Sequence, residues 1–207
     1  MTRLLSLILT LTFSSLSFAD LNKGYACHDK QDYACALNEW KPLADKGDAT
    51  AQGLMGAMYA FGKGVKQNYF EAVKWYKLAA DQGIADAQYN LGTMYSDGRG
   101  VKQNKFEAVK YYQLAAAQGF SAAQNNLGAI YSTGEGVKQD QFEAVKYYQL
   151  AAAQGNEYAQ NSLGIKYSIG EGVKQNKREA KRLFGLSCDN RNAHGCNNYK
   201  ILNEEGY

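Results

Sequence analysis

Four cysteines are the side chains with the clearest chemical potential in this 207-residue sequence. They come in two groups with the same eight-residue spacing: Cys27 and Cys35, then Cys188 and Cys196. Thiols in such patterns either bind a metal or form disulfides. An even number, in a chain that begins like an exported protein, favours disulfides. Adding His28 or His194 does not produce a zinc-motif spacing, so we predict no metal site.

The sequence does not bring together the groups that catalysis needs. The only two histidines outside the leader lie near opposite ends of the chain, and no serine occurs in a nucleophile-elbow context. The Gly-x-Gly elements lack the preceding strand of a phosphate-binding loop. Helix capping explains the recurring carboxylates Glu71, Glu107, Glu143 and Glu179. We therefore predict that the protein is not an enzyme and has no catalytic residue and no cofactor.

The first residues, MTRLLSLILTLTFSSLSFAD, have the features of a secretory signal peptide. Arg3 precedes an apolar run that is too short to cross a membrane, and small residues follow it. We predict that residues 1–19 are removed by cleavage after Ala19, with a periplasmic or secreted product. Asp20 would then begin the mature chain, which argues against a lipid anchor, and no second hydrophobic span follows.

Charge argues against a nucleic-acid partner. The formal net charge is only +3, and the lysines and arginines are spread along the chain beside glutamates. Proteins that bind nucleic acid concentrate positive charge along one face to neutralise phosphates. We predict no nucleic-acid binding.

A gap-free repeat of 36 residues organises most of the chain. EAVKYYQLAAAQG occurs twice, from Glu107 and Glu143, and GVKQ occurs four times. We place the repeats at 47–82, 83–118, 119–154 and 155–190. A capping hairpin at 20–46 and a capping helix at 191–207 complete one solenoid domain, 20–207, because terminal repeats must cover an open apolar face.

Each repeat is predicted to be a hairpin of two helices. Apolar residues recur at helical spacing, first around Leu91 and then around Tyr112. The second helix has N-cap candidates at Asn68, Asn104, Asp140 and Asn176, each followed three residues later by a glutamate. Gly56, Gly92, Gly128 and Gly164 recur inside the first helix. Glycine costs about 1 kcal/mol there, which indicates close approach of a neighbouring helix.

The segment AQYNLGTMYSDGRGVKQNKFEAVKYYQLAAAQG, from Ala87 to Gly119, resembles a Sel-1-like repeat, a tetratricopeptide-like unit of about 36 residues. The resemblance covers Gly47–Asn190. The fourth repeat departs from it in the second helix, at Lys181, Leu183 and Gly185. The resemblance implies an all-α fold, a right-handed α-solenoid of helical hairpins.

The cysteines also resemble those of secreted, cysteine-rich members of that family, in which thiols eight residues apart link adjacent antiparallel helices. This resemblance implies the disulfides Cys27–Cys35 and Cys188–Cys196. Pairing Cys27 with Cys188 would join opposite ends of an extended solenoid, so we do not expect it.

Stacked hairpins of this type curve into a superhelix whose first helices line an extended concave surface. One stripe of each first helix varies among repeats while the other positions barely change. Apolar residues on an open face often mark partner sites, although drift of exposed residues is the alternative. The candidate partner-binding residues are Thr50, Leu54, Ala57 and Phe61; Asp86, Asn90, Thr93 and Asp97; Ala122, Asn126, Ala129 and Thr133; and Tyr158, Ser162, Ile165 and Ile169.

These features predict a monomeric protein that binds a protein partner, and the resemblance suggests three roles. The first is an adaptor or scaffold in a periplasmic assembly. The second is an immunity protein that neutralises a secreted toxic effector, such as a phospholipase of type VI secretion. Some cysteine-rich relatives have been credited with penicillin binding or β-lactamase activity, but no Ser-x-x-Lys constellation supports this third role here.

Overall fold

A computed structural model describes residues 21–207, which form helices and loops with no strand. The predicted signal peptide, residues 1–19, lies outside the described residues. The described chain divides into two compact units, one that ends at Gln103 and one that begins at Asn104. Across residues 21–207, no helix combines the length and the apolar character needed to cross a membrane.

Between residues 21 and 103, the first unit contains five helices. They are α1 (21–29), α2 (Tyr33–Asp45), α3 (Ala49–Phe61), α4 (Tyr69–Asp81) and α5 (Ala85–Asp97). Within this unit α2 packs against α3, α3 against α4 and α4 against α5, and α3 also contacts α5.

The second unit continues the same alternation. It contains α6 (Lys105–Ala117), α7 (Ser121–Thr133), α8 (Gln141–Ala153), α9 (Glu157–Ile169), α10 (Lys177–Asp189) and α11 (Ala193–Glu204). Sequential helices again pack together, while α9 also contacts α7 and α11. We call α3, α5, α7 and α9 the first helices, and α4, α6, α8 and α10 the second helices. The all-helical hairpin fold predicted from the repeat is confirmed in each unit.

The predicted N-caps of the second helices are confirmed. The side-chain oxygens of Asn68, Asn104 and Asp140 each accept hydrogen bonds from two backbone N–H groups of the first turn, and Asn176 accepts one. Such caps satisfy amide groups that have no partner inside the helix. The first helices end at left-handed glycines instead: Gly62, Gly98, Gly134 and Gly170.

The predicted close approach at the recurring glycine is confirmed in three hairpins. A Cβ atom on Gly56 would lie 2.5 Å from a ring carbon of Tyr76 on the second helix of the same hairpin. The corresponding distances are 2.6 Å from Gly128 to Tyr148 and 2.6 Å from Gly164 to Phe184. No side chain fits in that space, so glycine lets the aromatic ring lie directly on the first-helix backbone.

A buried glutamine joins each hairpin to the helix before it. Gln124 Nε2, in α7, donates to the carbonyl oxygen of Ala116 in α6 at 3.2 Å. Its Oε1 atom accepts from Nε2 of Gln154, just after α8, at 2.7 Å. The side chain thus links three consecutive helices. The other buried glutamines at this repeat position, Gln52, Gln88 and Gln160, also donate to an alanine carbonyl eight residues earlier.

Two disulfides close the predicted pairs, so the inferred pairing is confirmed. Cys27 in α1 is bonded to Cys35 in α2, with Cα atoms 5.7 Å apart. Cys188 in α10 is bonded to Cys196 in α11, with Cα atoms 4.4 Å apart. Closing a short loop in this way stabilises a fold by about 2–3 kcal/mol. Each bond ties a helix without a repeat signature to its neighbour.

Lys166 is a buried cation within the second unit. Its repeat equivalents are Met58, Met94 and Ile130, yet Lys166 is only 6% exposed. Its ammonium group donates to Ser132 Oγ at 2.8 Å, Gln141 Oε1 at 2.7 Å and Glu171 Oε2 at 2.6 Å. All three of its protons are therefore used, as a buried charge requires.

We expect Lys166→Met to leave the free energy of unfolding within about 1 kcal/mol of the native value, or to raise it. The change removes a buried charge, methionine already occupies the equivalent positions 58 and 94, and the Glu171 carboxylate left behind is 43% exposed and can be solvated. Lys166→Ala should lower it by about 2 kcal/mol or more, because the side-chain stem also fills core space. Urea unfolding measures both changes. Equal losses in the two variants would instead show that the hydrogen bonds of Lys166 provide net stability.

A second prediction concerns alkaline pH. Burial, and then the negative charge of Asp86, raise the pKa of the Tyr76 phenol far above its ordinary value. In the unfolded chain this phenol loses its proton near pH 10. The unfolded state therefore gains relative stability as pH rises above about 10, and the melting temperature should fall there.

Tyr76→Phe keeps the ring against Gly56 and removes the titrating group. This variant should lose less melting temperature between about pH 9 and pH 11 than the native chain does. Identical pH profiles for the two proteins would contradict the role given to Tyr76.

Candidate partner-binding surface

Each first helix has a committed side and an open side. The committed side carries the constant repeat positions, which are buried against second helices; in α7 these are Ala123, Gln124, Leu127 and Gly128. In the second unit α7 contacts α9, and α9 contacts α11, so these three helices lie side by side in one layer. Their open sides together form one surface of that unit.

The structure leaves all sixteen candidate residues at least partly accessible. Nine are exposed: Thr50, Phe61, Asp86, Asp97, Ala129, Thr133, Tyr158, Ile165 and Ile169. Seven are half-buried: Leu54, Ala57, Asn90, Thr93, Ala122, Asn126 and Ser162. None belongs to the buried core of its unit. The stripe is therefore available for contact, and its role in binding stays a prediction.

The apolar part of this surface in the second unit lies on α9. Tyr158 and Ile169 are each 60% exposed, and Ile165 is 40% exposed. Contact between water and large apolar side chains is unfavourable, so burying these side chains against a partner surface lowers the free energy. In the first unit the corresponding feature is Phe61 at the end of α3, which is 68% exposed.

A groove of about 160 Å³ runs between α9 and α11. Ile165, Ile169 and Ile201 form its walls, and the buried side chains of Phe184 and Leu202 form its floor. We did not predict Ile201 as a site residue, because α11 lacks the constant residues of a first helix. The available signal was its position, 36 residues after Ile165.

Polar groups border this groove. Asn198 lines it and donates from Nδ2 to Oδ1 of Asn161 at 2.8 Å. Lys177 and Glu205 form an ion pair of 2.9 Å at the same groove, and the hydrogen bond that Lys177 donates to the Glu205 carboxylate raises the pKa of Lys177. The groove therefore combines apolar walls with an amide and a neutralised charge pair, a composition suited to contact with another molecule.

One serine of the second unit contacts a lysine. The Ser132 hydroxyl accepts a hydrogen bond from the Lys166 ammonium, which also pairs with Glu171. Sequence reasoning missed this contact because the two residues are 34 positions apart. Within residues 21–207, no cluster of three or more His, Cys, Asp or Glu side chains could hold a metal ion.

Comparison with known proteins places the repeats in a family. The Sel1 repeat model matches residues 49–84, 85–120, 121–156 and 157–192, which together form more than half of the chain. A comparison with curated proteins finds no match.

Solved structures with the same fold include three bacterial proteins. One is c5321, described as a protective antigen present in uropathogenic Escherichia coli strains displaying an SLR fold; it is 36% identical over 92% of this chain, with a TM-score of 0.83. A Sel1 repeat protein from Oxalobacter formigenes is 31% identical over 84% of this chain and 72% of its own, with a TM-score of 0.78. Helicobacter pylori cysteine rich protein B is 25% identical over 64% of this chain and 96% of its own, with a TM-score of 0.51.

The present chain spans 42% of the length of the E. coli antigen chain, so the likeness concerns the repeats and not that whole protein. The match to four consecutive repeats and the similarity to solved relatives agree with the resemblance read from residues 87–119 and with the predicted fold class. The chain therefore belongs to the Sel1 repeat family.

Proposed function

We propose that this chain is an exported adaptor that binds a partner protein through the open sides of its first helices. The observation that carries the proposal is an exposed apolar group on α9, formed by Tyr158, Ile165 and Ile169. The opposite side of α9 is buried in the core. Sel1 repeats form a helical scaffold, and on this scaffold Tyr158 and Ile169 keep more than half of their surface open to water.

The composition of the stripe supports a protein partner. In the second unit its eight predicted residues are all uncharged, and they mix apolar side chains with Asn, Ser and Thr. Protein interfaces concentrate aromatic and aliphatic anchors in their centre and deplete charges there. A nucleic-acid surface would instead need Lys or Arg side chains for phosphates. The groove beside Ile201 provides a depression into which a partner side chain can insert.

Export is supported by the two disulfides. Structural disulfides persist in oxidising compartments and are rare in the cytosol of most organisms. Each bond joins a helix that lacks the repeat signature, α1 or α11, to its neighbour, where covalent closure adds stability. Under this proposal the present chain acts outside the cytoplasm, and the description of the E. coli relative as a protective antigen is compatible with it.

Photo-crosslinking tests the proposal in the native host. A benzophenone side chain placed at Tyr158 or at Ile169 should form an adduct with the same partner protein. The matched control is Leu186, which is also partly exposed but lies on the second helix α10. An adduct that forms at Leu186 and not at the α9 positions would contradict the proposed surface.

With the captured partner purified, Tyr158→Ala should weaken binding at least about tenfold, as expected for an aromatic anchor. The melting temperature should change by less than about 4 °C, because the ring is 60% exposed. A large loss of melting temperature would place Tyr158 in the packing of the fold instead. A partner that proves to be a toxic enzyme would favour the immunity role over an adaptor role.

A further inference from the structure

The second helices carry a different set of exposed apolar residues, and the proposed function does not use them. Phe70, Phe106 and Phe142 occupy the same position near the start of α4, α6 and α8. They are 70%, 73% and 77% exposed, the highest values among the large apolar side chains of residues 21–207. Three exposed phenylalanines at one repeat position favour aggregation unless another surface covers them.

A leucine follows each phenylalanine eight residues later, two turns along the same side of the helix. Leu78, Leu114 and Leu150 are 47%, 44% and 47% exposed. Between the two apolar residues lies an ion pair; in α8 it joins Glu143 to Lys146 at 3.1 Å. Each of these helices therefore presents the same sequence of phenylalanine, ion pair and leucine.

The fold itself does not require these residues. In α10 the position of the phenylalanine is Arg178, which is exposed, and in α2 it is Ala34. Both helices pack against their neighbours without an aromatic ring there. The combination of an exposed phenylalanine and an exposed leucine is thus confined to three consecutive second helices. In α10 the leucine position is still a leucine, Leu186, but the charged Arg178 replaces the phenylalanine, like the polar rim of an interface.

We propose that a second copy of this chain docks on the face formed by Phe106, Leu114, Phe142 and Leu150, which we call the second-helix face. All four residues belong to the second unit, where α6 and α8 both pack against α7. This proposal concerns a different surface from the partner-binding stripe and replaces the monomer expected from the sequence.

The available apolar area fits this occupant. An aromatic side chain buries about 150–250 Å², so two phenylalanines that are about three-quarters exposed offer roughly 300 Å². The two leucines add to this area. A standard interface covers about 800 Å² on each partner, of which a little more than half is apolar. The second-helix face therefore supplies most of the apolar area of one such interface.

The charge balance of the face also favours a second copy. Lys110 and Lys146 are each paired with a glutamate one turn earlier, Glu107 and Glu143. An anionic membrane surface attracts clusters of unpaired basic residues, which these helices lack on this face. A two-fold axis between two copies places the same patch on both sides, so that the phenylalanine end of one helix can meet the leucine end of the other.

Sedimentation velocity from about 1 µM to about 1 mM tests the proposal. The native chain should show a monomer–dimer equilibrium, and Phe106→Arg with Phe142→Arg should weaken it at least about tenfold. Arginine is chosen because α10 already accepts Arg178 at this position, so the double variant should fold. The matched control is Phe61→Arg, which replaces an equally exposed phenylalanine on a first helix and should leave the equilibrium unchanged.

A native chain that stays monomeric throughout this range would overturn the proposal, as would a dimer that Phe61→Arg weakens and the double variant does not. Co-sedimentation with vesicles of phosphatidylcholine, with and without phosphatidylglycerol, tests the other occupant. Vesicle binding by a monomeric native chain that the double variant loses would assign the second-helix face to lipid instead.

Discussion

The contact between a glycine and an aromatic ring fixes the geometry of each hairpin. Tyr76, Tyr148 and Phe184 lie so close to the first-helix backbone that only glycine fits opposite them, at Gly56, Gly128 and Gly164. This contact presses the two helices together and assigns one side of the first helix to the core. Residues on the opposite side are left accessible, and these include the candidate stripe. The availability of that surface is therefore a consequence of packing.

Buried glutamines extend the same constraint from one hairpin to the next. Gln124 and Gln160 each connect the helix before their own to a residue at the end of the helix after it. A buried amide must find partners, so these side chains favour one relative placement of the three helices. Lys166 shows that the pattern tolerates local change, because it occupies a methionine position and satisfies its charge with neighbouring polar groups. Within each unit, the same contacts recur from hairpin to hairpin and restrict how neighbouring helices can be placed.

Much of the helical fold could be predicted from the sequence, because each local pattern occurs once in every one of the four repeats. Asn68 and its equivalents were recognised as helix caps, and Gly56 was recognised as a point of close approach. The stripe around Tyr158 was predicted to be accessible. The contacts of Gln124 with Gln154 and of Lys166 with Ser132 and Gln141 were not predictable, since these partners lie 25 to 34 residues away and depend on how hairpins stack. The position of Ile201 in the groove was not predicted, because α11 lacks the repeat signature. The exposure of Phe106 was not predicted either, because aromatic residues in helices are more often buried.

The measurement that tests this account most directly compares alanine at two glycines of α3. A Cβ on Gly56 would meet the Tyr76 ring at 2.5 Å, whereas a Cβ on Gly53 would meet only the Ala79 Cβ at 3.9 Å. Gly56→Ala should therefore lower the free energy of unfolding by about 1–3 kcal/mol through overpacking. Gly53→Ala should raise it by up to about 1 kcal/mol through helix propensity. If both substitutions stabilise the protein in urea unfolding, the ring does not lie on the helix and the division into committed and open sides is wrong.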